Sequence, residues 1–123
     1  MATLSQFQCV PCTGKEPPLT NAEIAGFQPE VPGWTINDVS GEKQLTHVFK
    51  FHNFAEALSF TDRVGALAES EGHHPAILTE WGKVTVTWWT HKIHGLHKND
   101  FIMAAKTDQL YRVFQPEHAS AEK

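Results

Sequence analysis

The chain has 123 residues and a formal net charge of −4, a length that lets one domain bury its own core without metal or disulfide staples. Acidic and basic residues are mixed along it, so no basic stripe is offered to a phosphate backbone or anionic lipid, and nucleic acid is not an expected partner. Residues 1–10 have neither the basic start nor the apolar run of a signal peptide or membrane span, and Cys9 and Cys12 lie too close together to staple a secreted fold. A soluble cytoplasmic protein with reduced cysteines is expected.

Taken in order, Gln8 to Leu19 carries Pro11, Gly14, Pro17 and Pro18, the composition of an arm, placed at 1–18, that precedes the packed domain. Thr20 with Glu23 forms a capping box ahead of Ile24 and Phe27, which predicts a short helix stopping before Pro29 or Pro32. After the Pro32-Gly33 turn, Trp34 and Ile36 alternate with polar residues. Gly41 marks a turn into a clearer strand from residue 45 to 52, whose Leu45, His47, Phe49 and Phe51 share one face. Asn53 with Glu56 opens a long amphipathic helix reaching about Ser70, with Phe54, Ala57, Leu58, Val64, Leu67 and Ala68 as its apolar residues. Gly72 supplies a left-handed stop and Pro75 forbids continuation, so His73 and His74 fall at a helix-to-strand junction ahead of a short strand over 76–80. Trp81-Gly82-Lys83 turns into a strand in which Val84, Val86 and Trp88 oppose Thr85, Thr87 and Trp89, and the same parity places His91 with the threonines at its end. A last helix runs from about Asn99 to Val113, with Phe101, Ile102, Ala105, Leu110 and Val113 as inward candidates, and residues 116–123 form a polar tail.

This order predicts an α+β domain over residues 19–115: a four-stranded antiparallel sheet with two long helices, plus the short N-terminal helix, on one face, built from duplicated β-β-α units. Its two open edges invite pairing with a second copy of the chain.

Five of the eight histidines fall between His73 and His97, and imidazole titrates near neutral pH and binds metals. Two adjacent histidines on an irregular junction point in different directions, so one can face a cleft while the other orients; equally, histidines near a helix end can simply favour its dipole. His91 ends a strand beside the strand after Pro75, where strand ends can gather imidazoles around a small molecule. His91, His94 and His97 recur every three residues, a spacing that on a helix gathers metal ligands, but Gly95 interrupts the segment and argues against a preformed helical face. Cys9 and Cys12 have the spacing of half a zinc knuckle or a redox pair, without the second pair or the strand-helix context either needs. The tryptophans are first of all packing residues, and Trp34 is the one best placed to wall a planar heterocycle.

The sequence resembles the pterin-4a-carbinolamine dehydratase family, on Glu71-Gly72-His73-His74-Pro75, on Val84-Thr85-Val86 running to Thr90-His91, and on Gly95-Leu96 with Asp100 behind it. The resemblance extends more weakly to Pro32-Gly33-Trp34 and to the run Phe49, Phe51, Phe54, and the leader with its paired cysteines looks like that of many bacterial members. It implies removal of water from 4a-hydroxytetrahydropterin to give the quinonoid dihydropterin, in pterin recycling for aromatic amino-acid hydroxylases, with no metal or organic cofactor. It also implies dimers, or dimers paired into tetramers. His73, His74 and His91 match the catalytic histidines; Asp100 matches an acidic residue that supports one of them, and Glu69 a carboxylate near the pocket, with Pro75 and Trp34 completing the substrate-binding set. His97 stands where Ser or Thr is usual, which removes a good helix cap. The alternatives are a non-catalytic pterin-binding or dimerisation partner, and a metal protein using the same histidines.

Overall fold

The computed structural model describes residues 3–11 and 13–121, with side chains through residue 114. A single turn of 3-10 helix at Leu4–Gln6 opens the arm, followed by α1 (Asn21–Phe27), β1 (Thr35–Val39), β2 (Glu42–Lys50), α2 (Phe54–Glu71), β3 (Ala76–Glu80), β4 (Lys83–Trp88) and α3 (Lys98–Ala121). The four strands are all antiparallel in the order β1-β2-β4-β3. Two hairpins thus lie side by side, each followed by a long helix, as the duplicated β-β-α pattern predicts.

Local chemistry sets most boundaries. The Thr20 hydroxyl accepts from the Glu23 N–H while the Glu23 carboxylate accepts from the Thr20 N–H, at 3.2 and 2.8 Å, closing the capping box of α1. Asn53 caps α2 through the Glu56 N–H at 2.9 Å. At the far end Gly72 adopts φ +65°, its N–H donating to the Glu69 carbonyl and the His73 N–H to the Ala68 carbonyl. These paired bonds form a Schellman stop, and a side chain at residue 72 would be strained there.

Period-two alternation decides which face of the sheet is covered. Leu45, Phe49, Val84, Val86 and Trp88 are buried against α2 and α3, where they meet Ala57, Phe60, Val64, Phe101 and Met103. Each fully buried aromatic or aliphatic side chain contributes on the order of 1.5–3 kcal/mol. The opposite face carries the threonines and the exposed Val48 and Leu78, joined across the sheet in one row through Thr85.

Three expectations change. Residues 101–105 of α3 are all buried, not only one stripe, because the arm lies on its outer side: Leu4 is buried there, and the Lys106 ammonium donates to the Ser5 carbonyl at 3.0 Å. Val113, expected to point inward, is 68 % exposed because it faces away from the core, which Phe114 and Tyr111 of the same turn pack against. The backbone of α3 runs on to Ala121, through residues whose composition reads as a polar tail.

His47 stands between the Trp34 and Phe49 rings, with centroids at 5.3 and 4.2 Å. Burial pushes its imidazole below the ordinary 6.5, opposed by the nearby Asp108 charge. The unfolded chain therefore takes up a proton that the folded chain refuses: the stability is present above about pH 6.5 and is lost as pH falls through the depressed folded value. Urea midpoints measured between about pH 7 and 5 are expected to decline for the wild type and to decline less for His47→Phe.

Candidate active site

A cavity of about 530 Å³ opens where the end of α2, the end of β4, the start of α3 and the arm converge, lined by Glu71, Gly72, His73, His74, Trp89, Thr90, His91, Lys92, Asn99 and by Cys9, Val10 and Pro11. Three predicted histidines, from two segments 17 or more residues apart in sequence, therefore line one cavity.

Asp100 is the pivot behind it. Its side chain is fully buried, and its two oxygens accept from the His73 Nε2 at 2.6 Å, from the Thr90 hydroxyl at 2.8 Å and from the His97 N–H at 2.9 Å. A carboxylate that accepts from three donors holds His73 in the tautomer with its proton on Nε2, leaving the lone pair on Nδ1. The ring also stacks on Trp88 at 5.6 Å, so both its rotation and its tilt are set.

His74 is exposed and meets Glu69 at 2.6 Å on the outer turn of α2. Glu69 does not line the cavity, nor does Pro75, whose fixed φ instead ends the junction before β3. Trp34 is not a wall of the site: it is 1 % exposed, packed on His47 and Phe49, with its indole N–H donating to Asp108 at 2.9 Å. Its apolar area is used in the core because Val31 and the β1–β2 hairpin close over it.

His91 keeps the exposed side that strand parity gives it, but it lies in a turn past the strand. β4 ends at Trp88, and Thr90 pairs with Gly95 to close a small loop whose His91–Ile93 turn is 3-10 helix. Ile93 is buried and anchors the loop, while His91 is 78 % exposed at the cavity rim with Nδ1 3.3 Å from Glu42. A Cβ on Gly95 would come within 2.8 Å of Pro18, so the loop also fixes the arm as it passes.

Several lining residues carry no recognisable signal in the sequence. Asn99 clamps the arm with two bonds, its amide oxygen accepting from the Val10 N–H at 3.0 Å and its amide nitrogen donating to the Val10 carbonyl at 2.7 Å. Glu71 accepts from the Cys9 N–H at 2.9 Å and faces Lys106 at 3.8 Å. Only the Glu71-Gly72 cluster hinted at that role. The Cys9 thiol is pushed up to about 12 by burial first and then by the Glu71 and Asp100 charges. It is a neutral wall group at physiological pH, not an activated thiolate; Cys12 lies outside the described residues. His97 retains a capping function after all, its Nδ1 accepting from the Asn99 N–H at 2.9 Å while Asp100 accepts from its own N–H.

Residues 17–110 match the family model described as pterin 4 alpha carbinolamine dehydratase, and the chain belongs to that family. A protein of Nitrosococcus oceani, provisionally named a pterin-4-alpha-carbinolamine dehydratase, is 60 % identical over 91 % of this chain and 99 % of its own length. Among solved structures, a transcriptional coactivator/pterin dehydratase from Brucella melitensis superposes with TM-score 0.68 at 31 % identity, over 76 % of this chain and 98 % of its own. A pterin dehydratase-like protein identified as a RuBisCO assembly factor in the alpha-carboxysome gives TM-score 0.55 at 25 % identity, over 64 % and 89 % of the two chains.

Replacing Asp100 by Ala leaves a buried hydroxyl and a backbone N–H without an acceptor and frees His73. A loss of about 3 kcal/mol or more is expected from denaturant unfolding, with a smaller loss for the isosteric Asp100→Asn.

Proposed function

We propose that this protein dehydrates 4a-hydroxytetrahydropterins, with His73 and His91 handling the protons and His74 orienting the pterin. The observation that carries this reading is the gathering of the three imidazoles around one cavity, each with a carboxylate partner: Asp100, Glu69 and Glu42. Family membership supplies the substrate class.

The reaction breaks the C4a–O bond. One imidazole delivers a proton to the departing hydroxyl, the N5 lone pair forms the N5=C4a double bond, and the second imidazole takes the N5 proton, so that water and the quinonoid dihydropterin leave. Each step is a proton transfer between an imidazole and the pterin, the work of general acid-base catalysis. Asp100 acts through His73 as a positioning residue, since a hydrogen-bonded carboxylate fixes the tautomer and the orientation of the ring.

His73→Ala and His91→Ala are each expected to lower turnover by roughly 10²-fold or more in stopped-flow decay of the carbinolamine, corrected for its spontaneous rate. Normal decay with both variants would remove the reading. The open edges of β1 and β3 and the Val48–Leu78 row fit a homodimer or a tetramer. A non-catalytic scaffold role, by analogy with the RuBisCO assembly factor, does not call for three paired imidazoles in one cavity.

The arm belongs to this site. Cys9, Val10 and Pro11 form one of its walls and are held by Asn99 and Glu71. Deleting residues 1–11 is expected to raise KM for the pterin by about tenfold while kcat falls less, because a non-catalytic wall contributes uniform binding.

A further inference from the structure

The histidine triplet at 91, 94 and 97 is only half absorbed by the proposed chemistry. The Thr90–Gly95 loop splits it. His97 turns inward to cap α3, whereas His91 and His94 stand at the two ends of one 3-10 turn, where side chains three apart eclipse on the same side. His94 holds φ +56°, an uncommon conformation for a non-glycine residue, with its ring facing that of His91 at 5.6 Å. From β2, across the rim, Glu42 reaches both: His91 Nδ1 lies 3.3 Å from one carboxylate oxygen and His94 Nδ1 3.2 Å from the other.

We propose that Glu42, His91 and His94 form a binding site for a divalent transition-metal ion such as zinc, distinct from the Asp100–His73 pair. The ligand atoms of the three residues all lie within 4.8 Å of one another. Their spacing favours a shared ion over simple ion pairs. Charge-assisted N–H···O bonds settle near 2.7–2.9 Å, shorter than either contact here, whereas two ligands about 2.0–2.1 Å from a tetrahedral zinc lie about 3.3–3.4 Å apart. Two imidazoles and one carboxylate form a donor set that suits zinc, cobalt and nickel. The site is exposed, so further coordination positions are filled by water.

The ion occupies the same Nδ1 that ties His91 to Glu42, and it holds that imidazole as a ligand. On the reading that His91 moves protons in the dehydration, an occupied site therefore lowers turnover, and dehydratase activity rises when the metal is chelated.

The test is titration of the whole chain with Co(II), followed by its visible absorption and by calorimetry, beside carbinolamine turnover with and without chelator. One equivalent per chain is expected, with an oxygen–nitrogen spectrum lacking a thiolate charge-transfer band. His94→Ala is expected to weaken binding at least about tenfold, since even outer-shell partners of a metal are worth about 10–100-fold. It is expected to relieve inhibition by Zn(II) without changing metal-free turnover. Absence of binding, binding undiminished in His94→Ala, or a thiolate spectrum overturns the site. Binding that is lost in His94→Ala but leaves wild-type turnover untouched upholds the site and overturns the part given to His91, so the two failures are separable.

Discussion

The Asp100 carboxylate is fully buried, and a buried charge persists in a fold only where hydrogen bonds replace its water. Here three donors do so, and they come from three places: the junction after α2, the second residue beyond β4, and the residue before α3. The cost of leaving that charge unsatisfied therefore locks together the three chain segments that frame the cavity. His73 is oriented as a by-product of the same satisfaction, so the group that stabilises the junction also fixes an imidazole that lines the cavity.

The other two imidazoles are held by lighter means. His74 and His91 are both exposed, and their carboxylate partners Glu69 and Glu42 sit on the rim. Exposed pairs of this kind contribute little to stability. The site is thus graded, with one largely buried hydrogen-bonded pair and two exposed polar groups around it. The arm closes the cavity from the side. Its attachment through Asn99 and Glu71 explains why α3 buries residues 101–105 on every side, and why the helix carries no purely polar stripe there.

Much of this was legible residue by residue. The capping pairs Thr20/Glu23 and Asn53/Glu56, the stop at Gly72 and the alternation through Val84, Val86 and Trp88 are local, because each depends on groups within a few residues that meet whatever the rest of the chain does. The sites of His73 and His74 followed from the same stop. What misled were positions whose environment is made by distant partners. Trp34 has the look of a pocket wall but pairs with Asp108, 74 residues away. His91 keeps the exposed side that parity gives it, yet it lies past the end of β4, in a turn closed by the Thr90–Gly95 bridge. His97 looked like a lost cap, and its ring nitrogen serves as one.

The sequence by itself determined the four strands and three helices, the face of the sheet that is covered, and the junction that presents adjacent histidines, all through short-range hydrogen bonding and hydrophobic period. Tertiary structure alone decided that His73, His74 and His91 line one cavity, that His73 is the histidine Asp100 holds, and that Cys9 to Pro11 wall the cavity. Those outcomes depend on burial and on contacts across 27 to 90 positions, which no local pattern encodes because the partners become neighbours only after the sheet and helices have packed.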